Sequence, residues 1–299
     1  SSTGVVTGVA AGTTTMTYTV TNGNGCTASV TTTVTVNAIP VVAAITGTTE
    51  VCAGSTTALA NATANGVWTS SNTAVATIDA SGVVTGVAAG SATITYTVTT
   101  NGCTSNAQAV VNVNALPTLA AIGGTTNACI GSTTILTNTT SGGVWTSSNA
   151  GVATVGTSGM VTGVSAGNAT ITYTVTSGAG CVDYTTQAVT VNALPNPGTI
   201  TGTATVCVAS TTNLSNAVTG GVWTSSNTGI ATVGTSGIVT GVSAGNATIT
   251  YTVTSGTGCV DYTTQTVTVN ALPNPGTITG TATVCVASTT TLSNAVSGG

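Results

Sequence analysis

Eight cysteines are the most reactive side chains in this sequence, and they fall into two regular series. The first series is Cys26, Cys103, Cys181 and Cys259, and the second is Cys52, Cys129, Cys207 and Cys285. The sequence contains no His and no Cys-x-x-Cys pair, so the spacing does not suit zinc. No basic residue is present to lower the pKa of a thiol for catalysis. An even, periodic set of this kind predicts disulfides and an oxidising, extracellular location.

The acidic residues offer no catalytic or metal-binding pattern. Only Glu50, Asp79, Asp183 and Asp261 are acidic, and they are scattered along the chain. General acid–base catalysis needs a titrating His, a paired carboxylate or a Lys, and a Ser or Thr nucleophile would have no base. Calcium takes six to eight oxygen ligands, usually from several carboxylates, whereas Asp183 and Asp261 each stand alone. We therefore predict that the protein is not an enzyme and uses no cofactor or metal.

The near absence of charge restricts the partners of this chain. Lys and Arg are absent, and charged residues make up 1% of the sequence. Without basic residues no surface can bind phosphates, which argues against nucleic acid and anionic membranes as partners. The mean hydropathy is +0.49, yet no segment approaches the roughly 20 consecutive apolar residues of a spanning helix. We expect no membrane insertion, and the absence of trypsin sites suits a long-lived, exposed material.

Two further residue patterns each allow a structural and a functional interpretation. The three Trp residues are Trp68, Trp145 and Trp223. They could stack against sugars, but a single Trp in a small sandwich is usually part of the core, and we predict that role here. The Asn-x-Thr glycosylation pattern occurs at Asn61, Asn138, Asn168 and Asn246. Such matches arise by chance in a Thr-rich sequence.

Internal repetition sets the organisation of the chain. The segment Val-Asn-Ala-Ile-Pro at 36–40 returns as Val-Asn-Ala-Leu-Pro at 113–117, 191–195 and 269–273. The Trp residues and both cysteine series keep the same step of 77 or 78 residues. This predicts three complete repeats at 38–114, 115–192 and 193–270. Residues 1–37 correspond to the last part of a repeat, and residues 271–299 correspond to the first part.

Each repeat has the pattern of a small β-sandwich. In 193–270, strands are predicted at 199–208, 211–217, 222–224, 230–233, 238–242, 247–254 and 262–269. The run 247–254 alternates strictly, with Ile249, Tyr251 and Val253 on one face and threonines on the other. Seven short strands separated by turn residues, without helical periodicity, predict an all-β fold of tandem sandwiches stacked end to end.

A known family is visible in the string VWTSSNTGIATVGTSGIVTGVSAGNATITYTV at 222–253, which recurs at 67–98 and 144–175. It resembles the bacterial immunoglobulin-like domain, group 2, through its Trp-Thr-Ser-Ser-Asn turn and its Gly-x-Val-Thr-Gly-Val segment. The second half of the string also appears at 4–20. The resemblance implies immunoglobulin-like sandwiches in a surface protein, often an adhesin or a stalk. The Val-Cys-Val-Ala-Ser and Gly-Cys elements look like repeats of large secreted proteins from Bacteroidota-type bacteria.

An immunoglobulin topology bears on how the cysteines pair. In that topology the two cysteines of one repeat, such as Cys207 and Cys259, lie at opposite ends of the sandwich, about 20 Å apart. A disulfide needs Cα atoms within about 7 Å, which favours bonds across repeat junctions, Cys52–Cys181 and Cys129–Cys259. The other four cysteines would then need partners in neighbouring segments or subunits. Pairing within repeats stays open as the alternative, as Cys52–Cys103, Cys129–Cys181 and Cys207–Cys259.

These patterns predict a structural role. The leading interpretation is a disulfide-stabilised, protease-resistant subunit or shaft segment of an extracellular filament or stalk at the cell surface. The alternative is an adhesin whose repeats bind glycans or other surface ligands. In a filament, subunits would associate head to tail, with 271–299 of one chain beside 1–37 of the next by strand complementation. A continuous polymer of repeats, of which this sequence is a window, is the other possibility.

Overall fold

The computed structural model describes residues 4–296, and within this range every regular element is a β-strand. The prediction of an all-β chain is therefore confirmed. No helix in the described residues has the length and apolar character needed to cross a membrane. The described chain forms two compact units, which divide residues 115–192 between them. The first unit comprises Ser1–Ile122, Asn138–Trp145 and Thr172–Thr186, and the second comprises Gly123–Thr137, Thr146–Ile171 and Gln187–Gly299.

The strands recur with the period of the repeats. The opening segment has β1 (Gly12–Thr21) and β2 (Thr27–Val36). Residues 38–114 form β3 (Thr46–Gly47), β4 (Glu50–Cys52), β5 (Thr56–Ala60), β6 (Gly66–Ser70), β7 (Ala76–Ile78), β8 (Val83–Gly86), β9 (Gly90–Thr100) and β10 (Cys103–Asn114). Residues 115–192 form β11 (Gly123–Gly124), β12 (Asn127–Cys129), β13 (Thr133–Thr137), β14 (Val144–Ser147), β15 (Ala153–Val155), β16 (Met160–Gly163), β17 (Gly167–Thr176) and β18 (Val182–Asn192).

The third repeat and the closing segment continue this order. Residues 193–270 form β19 (Ile200–Gly202), β20 (Thr205–Cys207), β21 (Thr211–Asn216), β22 (Val222–Ser225), β23 (Ala231–Val233), β24 (Ile238–Gly241), β25 (Gly245–Thr254) and β26 (Val260–Asn270). The closing segment has β27 (Ile278–Gly280) and β28 (Leu292–Asn294). The third repeat forms two four-stranded sheets, with strand orders β20-β26-β25-β22 and β19-β21-β24-β23, and the first repeat has equivalent sheets.

The prediction of one continuous strand at 199–208 is wrong, because this segment divides between the two sheets. β19 pairs antiparallel with β21, whereas β20 pairs parallel with β26. The chain changes sheets at Gly202, which has a φ of 121°. A Cβ at this position would collide with the backbone oxygen of Asn213, so only glycine fits. The same division occurs at Gly47 in the first repeat, between β3 and β4.

The cores of the first and third repeats each lie between the two sheets of the repeat. In β25 the residues Ala247, Ile249, Tyr251 and Val253 are buried, as the alternation of this strand predicts. Ala247 and Ile249 belong to one core cluster with Val206 of β20 and with Leu214 and Val239 of the other sheet. An equivalent cluster fills the first repeat. Burial of these apolar side chains, each contributing roughly 1.5–3 kcal/mol, is the main stabilising term of the sandwich.

Candidate functional site at the repeat junctions

The first junction is a disulfide between consecutive repeats. Cys52 ends β4, which runs parallel to β10 with Cys52 opposite Asn114. Asn114 is the last residue of its strand, and its carbonyl oxygen accepts a hydrogen bond from the backbone N–H of Ala53 at 2.9 Å. Cys181 of the following repeat bonds to Cys52 with a Cα–Cα distance of 5.6 Å, within the normal range. The Cys181 sulfur lies 3.9 Å from the same Asn114 oxygen.

The second junction repeats this arrangement in the other compact unit. Cys129 lies opposite Asn192 in a parallel pair and bonds to Cys259, again with a Cα–Cα distance of 5.6 Å. The Asn192 carbonyl oxygen accepts a hydrogen bond from Ile130 N–H at 3.1 Å and lies 4.0 Å from the Cys259 sulfur. Each junction therefore combines three parts: a cysteine on a short parallel strand, the terminal Asn of the same repeat, and a hairpin cysteine of the next repeat.

A tight hairpin turn presents the second cysteine of each staple. Between β17 and β18, Ser177 N–H donates to the Cys181 carbonyl at 2.8 Å, and the Ser177 Oγ accepts from Cys181 N–H at 3.1 Å. Gly180 takes the left-handed conformation, with a φ of 82°, that closes the turn. Cys181 is buried in this setting and Cys52 is half-buried. The turn and the short parallel strand thus bring two distant sequence positions within bonding distance.

Pairing within a repeat is geometrically excluded for the described chain. Cys207 lies opposite Asn270 at one end of β26, whereas Cys259 immediately precedes Val260 at the other end. Eleven residues of extended strand separate the two ends, which corresponds to roughly 36 Å. This exceeds the reach of a disulfide several-fold.

The remaining four cysteines are unpaired in the described residues. They are Cys26, Cys103, Cys207 and Cys285. Cys103 already lies against the carbonyl oxygen of Asn37, with its sulfur 3.7 Å away. The Asn37 side chain in turn donates to the Asn101 carbonyl at 2.9 Å. This is the Asn–cysteine arrangement of the two stapled junctions, without the strand cysteine.

Glu50 fastens β4 to β10 beside the first junction, through hydrogen bonds that no motif in the sequence indicates. Its carboxylate accepts 2.8 Å hydrogen bonds from the side-chain amides of Asn112 and Asn114. These bonds, first from Asn112 and then from Asn114, lower the pKa of the Glu50 carboxyl. The other repeats have Asn127 and Thr205 at this position, so the feature belongs to the first repeat alone. The adjacent strand Asn residues are the only sequence signal for it.

The Trp residues differ from the prediction of a buried central Trp. Trp68, Trp145 and Trp223 are half-buried. Trp68 and Trp223 lie on the edge strands β6 and β22 and pack against the margin of each core, because an edge strand has a neighbour on one side only. The Trp223 ring contacts the ring of Tyr251 at a centroid distance of 4.6 Å, and equivalent pairs occur in the other two repeats.

The buried aromatic residue of each repeat is instead a Tyr, which the sequence analysis placed on the core face without a specific role. The Tyr251 hydroxyl accepts a hydrogen bond from Gly221 N–H at 2.8 Å and donates to the Val218 carbonyl at 2.6 Å. A Cβ at Gly221 would collide with this ring. The glycine that precedes Val-Trp in every repeat is therefore the sequence signal for this contact.

Two of the Asn-x-Thr positions serve the fold. The side-chain amides of Asn61 and Asn138 donate to the backbone carbonyls of Ala43 and Ala120 at 2.7 and 2.8 Å, and their oxygens accept from Thr63 and Thr140 N–H. Both side-chain amides are therefore hydrogen-bonded, and both residues are half-buried. Among residues 4–296 there is no group of three or more His, Cys, Asp or Glu residues that could hold a metal ion.

Solved structures that align with this chain include several surface proteins. The chain is 21% identical to domains 1–6 of the surface layer protein SbsC over 92% of the chain and 47% of that protein, with a TM-score of 0.24. It is 14% identical to BT4661, a SusE-like surface located polysaccharide binding protein from Bacteroides thetaiotaomicron, over 88% of the chain and 52% of that protein, with a TM-score of 0.33. It is 17% identical to the bacterial integrin-binding protein invasin over 91% of the chain and 68% of invasin, with a TM-score of 0.34. The chain spans about half the length of the first two structures.

No curated protein matches this sequence. The model of the bacterial Ig-like domain (group 2) matches three times in tandem, at residues 30–111, 104–186 and 188–264. These matches cover most of the chain and follow the period of its repeats. The chain therefore belongs to the bacterial Ig-like domain (group 2) family.

Proposed function

We propose that this chain is a shaft segment of an extracellular bacterial filament or stalk, built to resist tension and proteolysis. The observation that carries the proposal is the order of the two disulfides along the chain. Cys52 bonds to Cys181 and Cys129 bonds to Cys259, so the two loops that they close overlap between 129 and 181. The staples are interlaced rather than consecutive.

Interlaced staples give the chain tolerance to cleavage. A break between 52 and 181 leaves the fragments joined through Cys52–Cys181, and a break between 129 and 259 leaves them joined through Cys129–Cys259. Any single break from 52 to 259 therefore keeps the molecule covalently whole. A catalytic or soluble signalling domain gains little from such redundancy, whereas an exposed shaft depends on it.

The same arrangement divides a pulling force between two covalent routes. From Cys52 to Cys259, one route crosses the first staple and continues along the backbone, and the other follows the backbone and then crosses the second staple. Each staple bypasses 129 or 130 residues. Because either route alone holds the chain, losing one staple leaves the fully extended length almost unchanged.

The composition supports an extracellular location for this shaft. Disulfides persist in oxidising compartments and are rare in the cytosol. The chain has no Lys or Arg for trypsin-like proteases. With 1% charged residues, it has little electrostatic repulsion to oppose association of chains.

A second candidate, binding of glycans by the repeats, is favoured by one observation. Tyr184 and Tyr262 are exposed on the outer face of their sheets. Tyr262 lies beside Thr252 in the ladder between β25 and β26, so an aromatic ring stands next to hydroxyl groups. Replacing Tyr184 and Tyr262 with Ala should abolish binding to immobilised polysaccharides if this function is real. A Tyr18→Ala variant is a matched control.

Single-molecule pulling tests the shaft function. The oxidised wild type and a Cys52→Ser/Cys181→Ser variant should reach nearly the same final extension between residues 52 and 259. A variant that lacks both staples should extend by about 450 Å more, since about 129 further residues then bear the load. Chymotrypsin digestion limited to one cut per molecule should leave the two fragments of any cut between 52 and 259 joined without reductant, and should separate them with it. Equal extension of all three proteins, or fragments that separate without reductant, would contradict the proposal.

A further inference from the structure

Asn-Gly pairs give this chain a chemical reactivity that the proposed function does not use. They occur four times, at residues 22–23, 24–25, 65–66 and 101–102. The backbone nitrogen of the glycine can attack the side-chain carbonyl carbon of the asparagine, because glycine has no Cβ to hinder the approach. A succinimide ring forms, and the proton of this nitrogen leaves with the side-chain amide group as ammonia. Water then opens the ring to aspartate or isoaspartate, so the reaction needs no enzyme, metal or oxidant.

In three of the four pairs, a hydrogen bond engages one of the two groups that must react. The Gly66 N–H donates to the Tyr96 hydroxyl at 2.8 Å, and Gly66 is also the first residue of the edge strand β6. The Gly25 N–H donates to the Asn22 carbonyl at 3.0 Å. The Asn22 side-chain oxygen accepts hydrogen bonds from two backbone N–H groups of its own turn, at 3.1 and 2.9 Å. These bonds restrain the glycine nitrogen or the asparagine side chain of each pair.

The pair Asn101-Gly102 differs, because neither of its reacting groups is engaged. It forms the two-residue turn between β9 and β10, where Thr100 pairs with Cys103. Its φ angles of 50° and 83° are both left-handed, as this type of hairpin turn requires, and both residues are exposed. Among residues 4–296, the hydrogen bond that reaches the pair comes from the Asn37 side-chain amide, which donates to the Asn101 main-chain carbonyl at 2.9 Å. The Asn101 side chain and the Gly102 nitrogen are left free to meet.

We propose that Asn101 is a self-modification site, at which attack by the Gly102 nitrogen converts the asparagine into isoaspartate. This inference is independent of the proposed function. In isoaspartate the main chain passes through the former side-chain carbon, so the former main-chain carbonyl of Asn101 becomes a free carboxylate. That carbonyl carries the oxygen that accepts the hydrogen bond from Asn37. The product therefore gives the Asn37 amide a charged acceptor, and hydrogen bonds to ionised acceptors are shorter and stronger than neutral ones.

The new carboxylate is a large change for a chain with so few charges. The formal net charge is −4, and it becomes −5 when one neutral amide is replaced by one carboxylate. The corresponding hairpins of the other two complete repeats read Ser-Gly-Ala-Gly at 177–180 and Ser-Gly-Thr-Gly at 255–258, without an asparagine. The modification is therefore confined to the hairpin of the first repeat. Negative charge accumulates at this one turn as the protein ages.

The test incubates the folded, oxidised chain at mildly alkaline pH and follows each Asn-Gly pair by peptide mass spectrometry, with electron-based fragmentation to distinguish isoaspartate from aspartate. Conversion at Asn101 should be at least about tenfold faster than at Asn65, because the Gly66 nitrogen must first lose its hydrogen bond. In urea with reductant the two sites should convert at similar rates. Tyr96→Phe should raise the conversion of Asn65 and leave that of Asn101 unchanged. Asn101→Gln should form no isoaspartate at this hairpin.

A second measurement tests the charged acceptor. In the aged chain, the NMR signal of the Asn37 side-chain amide should shift as the pH falls through the range in which a carboxyl group titrates, whereas in the fresh chain it should not. Equal conversion of Asn65 and Asn101 in the folded chain, or no conversion of Asn101, would overturn the assignment of the site. Conversion to aspartate alone, or an Asn37 signal with the same pH dependence before and after ageing, would refute the carboxylate contact.

Discussion

The third repeat and the opening segment carry nearly the same sequence but have different burial. The run ITYTV at 249–253 and its counterpart MTYTV at 16–20 both form one strand of a long hairpin. Ile249 and Tyr251 are 0% and 5% exposed, whereas Met16 and Tyr18 are 38% and 69% exposed. The hairpin therefore forms from local pairing and turn chemistry, whereas its burial depends on side chains from the first half of a repeat, such as Val206 and Leu214.

The largest expected difference between the third repeat and the closing segment is in the loss of stability when a Leu side chain is shortened. Leu214 is fully buried, and its counterpart Leu292 in the closing segment is 53% exposed. Leu214→Ala should reduce the free energy of unfolding of the third repeat by about 2–5 kcal/mol, through lost burial and the cavity left behind. Hydrogen exchange of the β25 amides measures this, since exchange reports local stability. Leu292→Ala should change the free energy of unfolding by less than about 0.5 kcal/mol, because this side chain is already exposed.

Equal effects of the two Leu substitutions on the free energy of unfolding would contradict this expectation. Such a result would mean that the closing segment is already packed in the free chain.

Removal of one staple should have the next largest effect. The Cys129→Ser/Cys259→Ser variant loses a cross-link that closes a long loop, and it should be about 2–4 kcal/mol less stable to urea. Cys26→Ser, at an exposed and unpaired position, should leave the monomer unchanged. Reduction of the wild type breaks both staples, so it should lower the stability by more than this double substitution does. A stable Cys129→Ser/Cys259→Ser variant would show that the junction holds through its non-covalent contacts.

Much of this architecture could be predicted from the sequence because its signals are local and repeated. The alternation in 247–254 predicts which side chains are buried, and the period predicts tandem sandwiches. The division of 199–208 could not be predicted, since one glycine, Gly202, redirects the chain into a different sheet. The hydrogen bonds of Glu50 could not be predicted either, because its two Asn partners lie more than 60 residues away in sequence. Long-range contacts of this kind leave no mark on the local pattern.

Removal of the Tyr hydroxyl should give a smaller difference in stability between the third repeat and the opening segment. Tyr251→Phe keeps the ring but leaves Gly221 N–H and the Val218 carbonyl without their partner, which should cost about 1–3 kcal/mol. Tyr18→Phe removes a hydroxyl from an exposed ring and should cost nothing measurable. Urea unfolding monitored by Trp223 fluorescence, with Trp68 and Trp145 changed to Phe, isolates the third repeat. Identical midpoints for Tyr251→Phe and the wild type would show that water replaces both hydrogen bonds.

The smallest expected effect is a pH dependence that separates the first junction from the second. The parallel strand β4 lies beside β10, and the opening segment has no such strand beside β2. Glu50 fastens β4 to this place through Asn112 and Asn114, and these bonds lower its pKa in the folded chain. A carboxyl with a lowered folded pKa stabilises the fold above its unfolded pKa, and this contribution is lost as the pH falls through the folded value.

Protection of the β4 amides from hydrogen exchange should therefore decline as the pH falls below about 4.5, after correction for the intrinsic exchange rate. Glu50→Gln should remove this decline, because its amide does not titrate in this range. The β12 amides provide an internal control, since Asn127 replaces the carboxylate there and their protection should not follow the same curve. A parallel decline in both strands would mean that the pH dependence arises elsewhere, and Glu50 would then have no special part in holding the junction.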